Sequence, residues 1–107
     1  MEFMCLRIFT QEGERHQGKL LHHYLLDIAR EVGASGATVL RGSAGFGRHG
    51  LREDVFFELG GDLPSIVEIV LESSQSQHML QRLSEQGMRL FYTLSPVQAG
   101  ITGEIPA

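Results

Sequence analysis

A chain of 107 residues makes one domain, and 42% hydrophobic with 21% charged residues is ordinary globular composition. A net charge of −4 argues against a sequence-independent grip on nucleic acid and against a polybasic membrane contact, both of which need a basic face. The single cysteine, Cys5, forms no internal disulfide; no apolar run nears the roughly 20 residues that span a bilayer, and no basic-then-apolar leader opens the chain, so a cytoplasmic protein with Cys5 as a buried small hydrophobe is expected.

Residues 3–10 alternate as a strand, with Met4, Leu6 and Ile8 on one face and Phe3, Cys5, Arg7 and Phe9 on the other. Both faces are largely apolar, which predicts cover on both. Residues 11–17 are a polar loop. Residues 18–32 are predicted helical, with Leu20, Leu21, Tyr24, Leu25, Ile28, Ala29 and Val32 forming one apolar stripe and Gly33 stopping the helix. Residues 36–42 predict a second strand. The glycine-rich stretch Gly42–Gly50 follows, and residues 54–59 read as a short extended piece. Residues 64–71 predict a strong strand, with Pro64 at its start, where a missing donor is tolerated. Residues 74–86 predict a second helix, with Ser73 or Ser74 as N-cap, Gly87 as its stop and a thin apolar face of Met79, Leu80 and Leu83. Residues 88–94 are expected to form the last core strand, and residues 95–107 an extended tail.

The order β-α-β-loop-β-α-β is the split βαβ arrangement of a ferredoxin-like α+β fold in a single domain. Two helices cover one face of a four-stranded antiparallel sheet. The other face stays apolar and calls for an oligomer to hide it.

Gly45-Phe46-Gly47-Arg48-His49-Gly50 matches G-x-G-x-x-G letter for letter. A dinucleotide fingerprint needs that motif between the first strand and a crossover helix, whereas here it follows the second strand. An RNA-reading sheet needs aromatics on its third core strand, and Pro64 to Leu71 has none. Two readings remain open. The glycines let backbone approach an anion or a neighbouring subunit, or they form a bare hinge for a flap. In the binding version Arg41 and Arg48 supply the charge, since guanidinium suits phosphate and carboxylate.

Two blocks, Gly36-Ala37-Thr38-Val39-Leu40-Arg41-Gly42-Ser43-Ala44-Gly45-Phe46-Gly47 and Asp62-Leu63-Pro64-Ser65-Ile66-Val67-Glu68-Ile69-Val70, resemble a family of small bacterial and archaeal proteins of unknown function described as PII-like. The resemblance runs over about residues 4–94. It implies a homotrimer with the sheets facing inward. It also implies a long loop between core strands two and three, of the kind PII proteins use to touch partners. In PII proteins nucleotides bind in clefts between subunits at the base of that loop, which makes an adenine nucleotide the candidate ligand and Arg41, Gly42, Gly45, Phe46, Gly47 and Arg48 the candidate binding residues. Ile101-Thr102-Gly103-Glu104 is similar to the end of the PII C-terminal loop. The arginines that precede Thr-Gly-Glu in PII proteins are replaced by Ala99 and Ile101. Only Gln86-Gly87-Met88-Arg89 stands where PII has a glycine-rich phosphate loop, and the loop tyrosine modified in PII has no match. A smaller anion, or no ligand, is the alternative.

Among the five histidines, His22 and His23 are adjacent and point about 100° apart on a helix, which suits a solvated face better than a metal pair. His49 is the candidate for a metal-responsive variant of such a trimer. Glu68 interrupts an apolar strand and calls for a partner, Arg7 or Arg89. No nucleophile–base pattern joins Ser43, Cys5 and the histidines, so no enzyme is expected. The reading is a regulatory trimer whose 43–62 loop contacts a protein partner. A ligand-free adaptor is the alternative, with Val55, Phe56 and Phe57 either adhesive or packed on their own domain.

Overall fold

Alternation along the first strand decides the architecture. The computed structural model describes residues 2–47, 50–51 and 63–104. Strand β1 (Phe3–Gln11) buries Met4, Leu6, Ile8 and Thr10 on one face and turns Arg7 and Phe9 outward on the other. After β1 come a short hairpin, β2 (Arg15–His16) and β3 (Lys19–Leu20), then α1 (Leu21–Glu31), β4 (Gly36–Arg41), a two-stranded ribbon of β5 (Phe46–Gly47) and β6 (Gly50–Leu51), β7 (Pro64–Glu72), α2 (Ser73–Glu85) and β8 (Phe91–Val97). The main sheet has the order β4-β7-β1-β8 with antiparallel neighbours. This is the expected ferredoxin-like α+β fold, with a connection of residues 42–63 between core strands two and three.

Both helices of the described residues pack on the same face. Leu21, Leu25, Ile28 and Ala29 of α1 and Met79 and Leu83 of α2 close over Met4, Leu6, Ile8, Val67, Ile69 and Leu71 of the sheet. Eight of the large side chains there are essentially sealed from water, each contributing about 1.5–3 kcal/mol. Of the stripe read from the sequence, Leu21, Leu25, Ile28 and Ala29 are buried, Tyr24 and Val32 lie at the margin with Leu80 of α2, and Leu20 falls in β3 instead.

Several boundaries move, for local reasons. Helix α1 begins at Leu21 rather than residue 18, because Gln17 and Gly18 both take positive φ and turn a hairpin; the polar 11–17 loop is partly that hairpin. Strand β7 runs straight into α2 with no loop. Glu72, not Ser73 or Ser74, stands at the cap, its N–H donating to Gln75 Oε1 at 2.7 Å. The last strand is Phe91–Val97, not 88–94. Gly87 ends α2 in the left-handed region, Met88 N–H returns to Leu83 O at 3.1 Å, and Met88 and Leu90 pack on the core before the strand starts. Pro96 fits inside β8 because this is an edge strand, paired only with β1. The extended piece read at 54–59, with Val55, Phe56 and Phe57, lies outside the described residues.

The second sheet face has a defined layout. Register places Leu40, Ile66, Phe9 and Phe91 in one row across the four strands, and Thr38, Glu68, Arg7 and Thr93 in the next. Gly36, Val70, Cys5 and Ser95 form the row after that. No helix covers this face among the described residues. Phe9, Leu40 and Phe91 are 39%, 44% and 49% exposed, and the Phe9 and Phe91 rings meet at 5.6 Å.

Candidate functional site

Three strands meet at one end of the sheet: β1 leaves at Gln11, β4 leaves at Arg41, and β7 enters at Pro64 between them. The buried hydroxyls of Thr10 and Ser65 lie 2.7 Å apart and close the core at this end. Just beyond, Glu12 N–H donates to Leu63 O at 2.8 Å and Gly42 N–H donates to Pro64 O at 2.7 Å. The Arg41 guanidinium donates through Nη2 to Glu12 Oε1, so the two strands that flank β7 are clamped across its first residues. That hydrogen bond holds the Arg41 pKa above its ordinary value. Its side chain is 64% exposed, which leaves further guanidinium donors facing water.

The glycines here have a packing role. A Cβ on Gly42 would stand 2.9 Å from Pro64 Cγ and 3.4 Å from Pro64 O, a distance real side chains do not tolerate. On Gly45 it would meet Pro64 Cγ at 3.6 Å, an ordinary contact. Gly42 is thus required by close approach to the chain's own β7. Phe46 follows on β5, 81% exposed and opposite Leu51 in the ribbon. The structure therefore brings Arg41, Gly42, Gly45, Phe46 and Gly47 to one sheet end. Arg48 and His49 lie outside the described residues. Glu12, Thr10, Ser65 and Pro64 were not singled out as neighbours of this segment; only the strand register reveals them.

Chain direction brings two more segments to this end, the start of α1 and residues 86–90 between α2 and β8. At the former, His22 and His23 meet edge to face at 4.4 Å. Burial lowers the His22 pKa, His23 lowers it further, and Glu12 opposes both. His22 is part-buried rather than solvated, and its Nδ1 has no hydrogen-bond partner among the described residues. No group of three or more metal-ligating side chains occurs among the described residues. The Ile101–Glu104 turn, where Glu104 N–H donates to Ile101 O at 3.2 Å, follows β8 away from this end. Arg89 lies outside any strand; Glu68 takes Arg7 instead, at 2.8 Å. A second polar groove runs between the β2–β3 hairpin and the helices, but its charges are spent in the Lys19–Asp27 and Arg82–Glu31 pairs.

Residues 3–99 match a family model described as "DUF190: Uncharacterized ACR, COG1993". The chain belongs to the DUF190 family. A UPF0166 protein of Aquifex aeolicus (strain VF5) is 42% identical over 79 residues, covering 73% of this chain and 75% of that protein. A UPF0166 protein of Methanocaldococcus jannaschii is 35% identical over 80 residues, covering 75% and 74%. In fold, this DUF190 chain is similar to CPII, a nitrogen regulatory PII-like protein from Thiomonas intermedia K12 whose structure is bound to ADP, AMP and bicarbonate. The TM-score is 0.68 at 14% identity, over 94% of this chain and 91% of that one. The PII-like fold expected from the two sequence blocks is the fold observed. No helix of the described residues is long and apolar enough to cross a membrane.

Proposed function

We propose that this DUF190 chain is a non-catalytic, PII-like regulatory protein of the cytoplasm, assembled as a homotrimer through its open sheet face. In this reading each subunit takes a small anion or an adenine nucleotide at the sheet end built by Arg41, Gly42, Gly45, Phe46 and Gly47, with Arg48, the next residue in the sequence, as a further candidate binding residue. Ligand occupancy then changes how residues 43–62 meet a protein partner. The observation that supports it best is Arg41, an exposed guanidinium fixed where the long connection leaves the sheet. Guanidinium is the side chain best matched to phosphate and carboxylate. The fold neighbour's ADP and AMP give the ligand class to try first.

The donor set sets a limit on the mode of binding. Gly42 N–H is already given to Pro64 O, so the anion contact falls to the Arg41 side chain rather than to a backbone cradle at Gly42. Glu12 also holds Arg41 in the free protein, and an incoming phosphate competes with that carboxylate. An exposed pair of this kind is weak, so Glu12→Gln should tighten anion binding about two- to fivefold. Titration calorimetry with ADP, AMP and inorganic phosphate tests the reading, with wild type, Arg41→Ala and Glu12→Gln side by side. Binding lost in Arg41→Ala and tightened in Glu12→Gln supports it. Binding that ignores both substitutions removes the site from this end of the sheet.

A ligand-free adaptor trimer is the second reading, and one observation favours it. The close approach of Gly42 to Pro64 and the pairing of Arg41 with Glu12 account for both residues without any ligand. Absence of heat with every anion, together with an intact oligomer, would select it.

A further inference from the structure

The open face carries a feature that an apolar docking surface does not need. Arg7 and Glu68 are each the middle residue of a nine-residue strand, and β1 and β7 are the two central strands of the sheet. Their ion pair therefore stands at the centre of the face, beside the row of exposed Leu40, Phe9 and Phe91 and half-buried Ile66. Only one edge of the pair is used. Arg7 Nε meets Glu68 Oε2 at 2.8 Å, while the guanidinium's terminal nitrogens and the other carboxylate oxygen have no partner among the described residues. The side chains are 50% and 31% exposed. Covering this face would strip water from both ions, and stripped ions need new partners.

A second copy of the same chain offers the matching groups: an anion for the free side of Arg7 and a cation for the free side of Glu68. We propose that the covering surface is this same face of other copies, and that the Arg7–Glu68 pairs of neighbouring subunits join head to tail around the symmetry axis as a closed ring of alternating charges. This rests on the assembly reading above and deepens it. The apolar row supplies area, and the ring supplies rotational register. A face shifted along the strands or turned over sets charge against Leu40, Phe9 and Phe91 instead. Rotational symmetry suits the arrangement, because the cation of each copy meets the anion of the next and the chain of contacts closes on itself.

Native mass spectrometry and sedimentation over a dilution series test the ring on full-length protein. Arg7→Glu and Glu68→Arg each place like charges at every contact and should raise the dissociation constant at least about 100-fold. The double variant Arg7→Glu/Glu68→Arg should return to within about tenfold of wild type. Far-UV circular dichroism checks that each protomer stays folded. If a reversal unfolds the chain, Arg7→Gln and Glu68→Gln replace it; each alone should weaken assembly more than the two together. An oligomeric wild type whose single reversals dissociate no more readily overturns the ring and leaves the assembly reading standing. Single reversals that dissociate without rescue by the double variant also overturn it. A wild type that stays monomeric at every concentration removes the assembly reading, and the ring with it.

Discussion

The two faces of one sheet are built from alternate residues of the same strands, yet they end in different environments. On β1, Leu6 and Ile8 are fully buried under the helices, while Phe9 between them and the strand end is 39% exposed on the other side. Hydrophobicity alone does not separate them, since Phe9 buries as much apolar area as either when covered. The difference is supply. Two amphipathic helices provide one layer of cover, and the described residues hold no third. The covered face accordingly determines whether a protomer folds, and the open face is the surface that the proposed assembly uses. Polar residues follow the same division. On the covered side the buried hydroxyls of Thr10 and Ser65 satisfy each other at the rim, whereas the open side keeps a charged pair at its centre.

The strongest way to break that division is to hollow the covered face. Leu6 is sealed from water, so Leu6→Ala should cost about 2–5 kcal/mol of protomer stability through lost transfer energy and the cavity left behind. Urea unfolding measures it, and a loss under about 1 kcal/mol would mean that the helix layer collapses easily onto the sheet. At the sheet end, Gly42→Val forces a side chain against the Pro64 ring and carbonyl, neither of which is a flexible tip. About 1–3 kcal/mol of destabilisation is expected. Unchanged stability would show that the start of β7 yields, and that Gly42 matters for something other than packing. Phe9→Ser sharpens the comparison from the open side. It removes one tilted ring contact with Phe91, so the protomer should lose only about 1 kcal/mol. The proposed oligomer, followed by sedimentation, should dissociate far more readily. Equal loss in both measurements would mean that the open face also holds the protomer together.

Much of this was legible in the chain because periodicity reports faces. The period-two pattern of residues 3–10 and the helical stripe, Leu20 excepted, locate the core, and the apolar second face of β1 points to the uncovered side. The left-handed Gly33 and Gly87 end their helices as read. What stayed hidden depends on contacts between distant residues. The Glu12–Arg41 clamp and the Gly42–Pro64 approach follow from strand register, which no local pattern encodes. The hairpin at Gln17-Gly18 leaves no sequence signature, because a Gln-Gly turn lacks the usual asparagine or aspartate. The last strand begins three residues later than the sequence pattern predicts, because Met88 and Leu90 are apolar and look like strand, yet they pack on the core after the end of α2. Glu68 in an apolar strand calls for a partner, and β1 supplies Arg7 in register; the open edge of that pair becomes apparent only once both strands are in place.

The smallest expected effect tests the rim of the covered face. His22, in the first turn of α1, is part-buried, and burial is the main reason its pKa falls below the ordinary 6.5. The neighbouring His23 lowers it further, and the Glu12 carboxylate opposes both. Between the lowered folded value and 6.5 the unfolded chain binds a proton that the folded chain refuses. Stability from this group is therefore complete above 6.5 and is lost as the pH falls below it, until His22 titrates in the folded protein as well. The informative quantity is the difference between wild type and His22→Gln, which keeps a polar group of similar size but cannot charge. The urea midpoint of wild type should drop more than that of His22→Gln between pH 7.5 and 5.5. Parallel profiles would mean that Glu12, not burial, sets the charge of His22. Glu12 would then divide its carboxylate between an imidazolium and Arg41, and acidification would loosen the clamp at the sheet end rather than the core.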